Sequence, residues 1–169
     1  MNENMDVTSQ VGRVERPTAI KLSAIMGGTG ALVTTASLFM PFLSVVPATI
    51  ETVDQEDIVG SYFSSPLIEN KTMGILLLLL SLVALCASLC VLSQWQNRLR
   101  LFIIMLLQLG TGSCAVLFCV LYGMDPNVHE ALDLGAHIGM GLGMAVVGAI
   151  VLTSAGLTTL IAGIQQQRS

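Results

Sequence analysis

Three side chains in the last third of the chain, His129, Asp133 and His137, recur at i, i+4 and i+8. On a helix that spacing places imidazole and carboxylate groups on one face, where adjacent pairs can chelate a metal ion. At 1.5 Å of rise per residue the outer two stand about 12 Å apart, so one ion reaches two of them but hardly all three. A solvated helix face is the simpler expectation, and a weak metal or pH-sensing site is the alternative. Cys86, Cys90, Cys114 and Cys119 offer thiol chemistry, but no C-x-x-C pair is present. Cys86 and Cys114 fall at depths differing by roughly 10 Å, beyond disulfide reach. All four are expected to be small buried hydrophobes. Gln108 is the only amide in a long apolar run, and Thr34, Thr35, Ser81, Ser88, Thr153 and Thr158 accompany it. Such groups hydrogen-bond across helices or back to the i−4 carbonyl. No nucleophile–base pair stands among them, so no catalytic residue and no cofactor is expected.

The elements that must carry these residues follow from composition. Of the 169 residues, 53% are hydrophobic and 11% charged, with a mean hydropathy of +0.79. A soluble domain carries about 25% charged residues, so this chain has too little polar surface to dissolve. The sequence pI of about 4.9 argues against a nucleic-acid partner, which needs a basic face. Four apolar runs, residues 20–46, 73–92, 101–122 and 138–164, each reach the length that crosses about 30 Å of hydrocarbon. None holds Asp, Glu, Arg or His, and the one Lys, Lys21, sits at the edge of the first, where it can snorkel to the headgroups. Backbone groups in lipid must be satisfied within the segment, so the runs are helices, and they do not alternate as barrel strands would. The first run is too long for the core of a cleaved signal. The expected fold is all-α, a polytopic membrane protein with four transmembrane helices in an antiparallel up-down bundle.

Orientation follows from Lys and Arg. Six of the seven (Arg13, Arg16, Lys21, Arg98, Arg100 and Arg168) fall before run 1, between runs 2 and 3, or after run 4, and only Lys71 falls on the other side. Both termini are therefore expected in the cytoplasm, with the protein in the plasma (inner) membrane. The opposite side carries Glu51, Asp54, Glu56, Asp57, Glu69, Asp125, Glu130 and Asp133. Trp95 on the inner side, and Phe42 and Tyr122 on the outer, suit the aromatic belts. Residues 1–19 are expected as a disordered cytoplasmic tail, 47–72 as the larger external loop and 165–169 as a short tail. Within the loop, residues 58–63 are mildly apolar, suited to lying on the membrane or capping the bundle. Asn70-Lys71-Thr72 fits a glycosylation sequon but abuts run 2, where a transferase hardly reaches. Asp125-Pro126 predicts an N-cap followed by Pro at the first helical position, so the fourth helix should begin there and continue into the membrane.

Small residues form the strongest pattern. Gly135, Gly139 and Gly143 recur every four residues, Gly148 follows, and Ala24 and Gly28 make a lesser version in run 1. Such spacing flattens a helix face for close approach of a second backbone, within the bundle or from a partner. Gly28-Thr29-Gly30-Ala31 is echoed by Gly110-Thr111-Gly112-Ser113, which hints at a parallel repeat of two-helix units. These eight glycines (28, 30, 110, 112, 135, 139, 143 and 148) are the expected packing sites. Met40-Pro41-Phe42-Leu43 closes run 1, and run 4 is rich in glycine. This layout resembles small uncharacterised bacterial four-span membrane proteins, a resemblance that implies a fold and no activity. Four-span thiol oxidases, small multidrug exporters with a carboxylate in their first helix, and junction proteins with a Trp-and-Cys loop signature are not resembled. The expected function is that of a non-enzymatic accessory or scaffold subunit in the lipid bilayer, packing through the fourth run against a second copy or a membrane-protein partner. The alternative is an oligomeric transporter or channel component.

Overall fold

The computed structural model describes residues 4–45, 60–64, 71–92, 98–133 and 135–167, and for residues 4–17, 45, 92, 98 and 165–167 the backbone alone. Glu51, Asp54, Glu56, Asp57, Glu69, the Asn70 sequon residue, Trp95 and Arg168 lie outside the described residues. Five helices carry most of the chain: α1 (Asn4–Ser37), α2 (Thr72–Leu92), α3 (Arg98–Gly123), α4 (Pro126–Asp133) and α5 (Met140–Gln167). Four segments are long and apolar enough to cross a membrane, Thr18–Ser37, Thr72–Val91, Leu99–Gly123 and Met140–Ile164. Helix α1 is continuous from Asn4, so the stretch read as a tail up to residue 19 has helical backbone from residue 4 onward.

Two boundaries differ from the expectation, each for a local reason. Run 1 was expected to stay helical to residue 46, but α1 stops at Ser37. Pro41 disfavours helical backbone at Met40 and has no N–H to donate. The chain leaves the helix through tight i→i+3 bonds, Leu38 N to Thr35 O, Phe39 N to Ala36 O and Met40 N to Ser37 O. The apolar residues beyond form strand β1 (Pro41–Val45) instead. Similarly, the fourth helix does not run unbroken from Pro126. Asp125 caps α4 as expected, accepting from the Asn127 backbone N at 2.9 Å. The helix then ends at Asp133, and Gly135 adopts φ of 94° while its N–H bonds Leu132 O at 3.0 Å. That left-handed backbone suits glycine and terminates helices.

Residues 136–138 form β3, which pairs antiparallel with β1 in the register Leu43↔Ile138, Ser44↔His137 and Val45↔Ala136. On the other edge of β1 lies β2 (Gly60–Ser61), giving the order β2-β1-β3. The helical expectation holds for most of the described chain, and one small sheet adds to it. It closes the end of the helices where α1 finishes and α5 starts.

The spanning helices meet in a ring, α1 on α2 and α5, and α3 on α2 and α5. Between α1 and α5 two glycines act reciprocally. A Cβ on Gly30 would stand 2.9 Å from the Leu152 backbone N, and one on Gly148 would stand 2.9 Å from the Thr34 backbone N. The α3–α5 contact repeats the device: a Cβ on Gly112 or Gly156 would come 3.1 Å from the Thr153 or Leu109 backbone N. Without the methyl groups the backbones come close, which is how helices gain contact in lipid. We expect Gly30→Leu to lower stability by about 1–3 kcal/mol, the range for overpacking. Gly110→Ala, where an added methyl meets nothing within 4 Å, should be neutral or stabilise by up to about 1 kcal/mol. Reversible unfolding in mixed micelles reads both, and equal losses would show that close backbone approach is not what holds α1 to α5.

Candidate functional site

Two sites inside the molecule combine polar or aromatic groups from several elements. The first is a polar layer around Gln108 on α3, which is fully buried. Its Nε2 donates to Ser88 Oγ of α2 at 3.4 Å, and its Oε1 accepts from Thr159 Oγ1 of α5 at 3.2 Å. Thr159 in turn bonds Ser23 of α1, whose Oγ also donates to Ala155 O at 2.9 Å. All four spanning helices therefore contribute to one hydrogen-bonded cluster. Gly27 makes room for it, since a Cβ there would stand 2.1 Å from Gln108 Nε2. Nearer the sheet a second set links α1, α2 and α3: Thr35 pairs with Ser81 Oγ at 2.8 Å, and Thr111 Oγ1 donates to Leu80 O at 3.4 Å. Thr153 and Thr158 bond their own i−4 carbonyls instead. Among the described residues no buried side-chain nitrogen or oxygen lacks a partner. The polar groups buried in the spanning helices are hydroxyls and one amide. Chemically the layer can hold helices in register, as hydrogen bonds do where water is absent.

The second site is an aromatic cap under the sheet. Phe42 of β1 is 1% exposed and meets Tyr62, Phe118 and Tyr122 with ring centroids 5.8, 5.9 and 5.1 Å apart. The Tyr62–Phe118 centroids are 4.9 Å apart. These edge-to-face contacts add to the area they bury. Phe42 and Tyr122 thus belong to the protein's own core, a correction of their expected place in a belt facing the headgroups. Of the two roles open to residues 58–63, the described part, 60–63, caps the helices. The Tyr62 ring lies against Gly74 in the first turn of α2, where a Cβ would stand 2.0 Å from the ring. Lys71 Nζ donates to Phe63 O and ties the loop's two described parts together.

The single face of three groups, on which the alternative metal site depended, is not assembled. His129 and Asp133 stay on α4, but His137 lies on β3 opposite Ser44, beyond the turn at Gly135. Among the described residues no group of three His, Cys, Asp or Glu could hold an ion. The glycine stripe fails for the same reason. Gly135 serves the turn and Gly139 lies between strand and helix, where a Cβ would stand 2.3 Å from Pro41 O. Gly139 N instead donates to Phe42 O at 2.7 Å. Of the other expected sites, Gly30, Gly112 and Gly148 make tight contacts, and Gly28 an ordinary one with Ser88 and Leu85. Gly110 and Gly143 face open space. Gly27, Gly74 and Gly156 make close contacts that residue spacing does not single out, and Gly141, one of the further small residues of the fourth run, lies against Met40 O and the Phe42 ring. Cys86 and Cys90 point outward, and Cys114 and Cys119 are half-buried, so the expectation of four buried thiols is corrected. All four are free. No family model matches the chain, and no curated protein does either.

Replacing Gln108 with Leu should cost about 1–2 kcal/mol, since interhelical hydrogen bonds in bilayers average about 0.6 kcal/mol and reach about 1.7 kcal/mol. Ser154→Ala, which removes only an i−4 bond to Ile150 O, serves as the comparison and should change stability little. A loss no larger for Gln108→Leu than for Ser154→Ala would mean that the layer does not tie the helices. A pH dependence follows from Tyr62. Burial raises its pKa above the ordinary 10.0, a backbone hydrogen bond from Gly74 pulls it down, and the Asp125 charge raises it. The folded state therefore keeps the phenol proton more tightly than the unfolded chain. The resulting stability is complete below pH 10 and is lost as pH rises through the folded pKa. Tyr62→Phe should flatten the alkaline limb of a stability-versus-pH curve, and an unchanged limb would count against this assignment.

Proposed function

We propose that this protein is a non-enzymatic multi-pass membrane protein, an accessory or scaffold subunit that meets a second copy or a partner through the outward face of α5. The reading includes an antiparallel up-down bundle in the plasma (inner) membrane with both termini in the cytoplasm. The bias of Lys and Arg, six on one side and Lys71 on the other, supports the orientation.

The carrying observation is how the polar and apolar groups are divided. Buried hydroxyls and the Gln108 amide are spent on one another and on backbone carbonyls. The outward faces present large apolar side chains, including Val146, Val147, Ile150, Leu157 and Ile161 of α5. A protein so arranged has its interior committed to holding itself together and its exterior available to lipid or another membrane helix. Gly143 opens that outward face at its sheet end, with nothing within 4 Å of an added Cβ. It takes over the docking role expected of the longer stripe.

Gly143→Leu should reduce assembly size or partner recovery from native membranes while leaving thermal stability unchanged. Gly139→Leu should destabilise the fold, because its contact is internal. Protease sites at either end should be cut only from the cytoplasmic side. A wild-type protein that is monomeric and recovers no partner would defeat the scaffold role, and ion flux in liposomes would favour a channel component instead.

A further inference from the structure

A groove of about 260 Å³ opens between the last turns of α2 and the first turns of α3. Ala87, Cys90 and Val91 line it from α2, and Arg100, Ile103 and Ile104 from α3. The short side chains of Ala87 and Cys90 leave space that the isoleucines across it do not fill. Residues 87–91 cover about 6 Å of helix rise, so the groove takes a length of hydrocarbon chain rather than a whole lipid. Its one charged lining residue is Arg100, which is exposed. Arg100 stands where the spanning segment of α3 begins, one residue past Leu99.

We infer that this groove is a binding site for an anionic glycerophospholipid, with an acyl chain between α2 and α3 and the phosphate at the Arg100 guanidinium. The occupant follows from place and charge. An apolar groove on the flank of two membrane-length helices is filled by lipid, since water gains no partners there. A guanidinium is suited to a phosphate through paired N–H donors. The surrounding segments strengthen the preference. Arg13, Arg16, Lys21, Arg98 and Arg168 belong to the same side of the chain, against Glu3, Asp6 and Glu15. Arg13, Arg16 and Lys21 are offset by those three acids, so the surplus basic charge is that of Arg98, Arg100 and Arg168, and basic residues beside a membrane draw anionic lipids by charge. The site rests on the membrane placement of the helices and is independent of the scaffold role.

Native mass spectrometry of the full chain, released from micelles containing equal phosphatidylglycerol and phosphatidylcholine, tests it. The wild type should retain phosphatidylglycerol about fivefold over phosphatidylcholine, the factor that one basic residue supplies near an anionic surface. Arg100→Gln should abolish the preference, and Lys71→Gln, at the opposite end, should leave it intact. Ile103→Trp, which fills the groove, should lose both lipids. Circular dichroism confirms that each variant is folded. Inorganic phosphate in excess should not displace the lipid, and displacement would overturn the acyl-chain contact. Equal retention of the two lipids by the wild type, or a preference that survives Arg100→Gln, would overturn the site. A chain that stays soluble without detergent would instead defeat the membrane placement itself.

Discussion

The structure depends on how closely α5 can approach α1 and α3. In lipid the hydrocarbon around a helix is as apolar as its own side chains, so burial of leucine against leucine gains little. What remains is contact between backbones and the hydrogen bonds that water cannot replace. Gly30 and Gly148 bring α1 to α5, and Gly112 and Gly156 bring α3 to α5, with each added Cβ landing 2.9–3.1 Å from a backbone nitrogen. Helix α5 is therefore the element shared by both close contacts. The echo between residues 28–31 and 110–113 acquires a physical sense here, because Gly30 and Gly112 sit against neighbouring residues of α5, Leu152 and Thr153.

Close approach in turn positions the polar layer. Gln108 reaches Ser88 and Thr159 from α3, and it fits only because Gly27 presents no side chain. A buried amide without partners would cost several kcal/mol in hydrocarbon. Its pairing therefore favours one arrangement of the helices over rotated alternatives. At the other end the aromatic cap does related work by different means. Phe42, Tyr62, Phe118 and Tyr122 come from a strand, a loop and one helix, and their packing fixes where the sheet sits on the helices. The sheet satisfies backbone groups of residues 41–45 that left the helix at Ser37.

Parts of this were legible from residue order alone. The Asp125-Pro126 start of α4 could be read because capping is a local event, settled by one side chain and the next amide. Hydropathy places the end of α1 too late, since it stays high through Val45 and says nothing about whether backbone is helix or strand. Pro41 was the available signal for an earlier end. His129, Asp133 and His137 were placed on one face by assuming that helix continued through Gly135, whose φ of 94° breaks it. The glycines divide along the same line. Spacing marks which residues are small, but only the neighbour across the gap decides whether Gly148 is a contact and Gly143 an open face.

By itself the sequence determined that four segments are long and apolar enough to cross a bilayer, because transfer to lipid depends on composition summed over about 20 residues. It also determined where charge can lie, since every basic and acidic residue falls outside those segments except Lys21 and Arg100, which sit at their edges. Tertiary structure alone decided that Gln108 joins four helices, that Phe42 and Tyr122 turn inward, and that a three-stranded sheet closes one end. Those outcomes depend on which surfaces meet, and rotating a helix by one residue changes every such meeting while leaving its hydropathy the same.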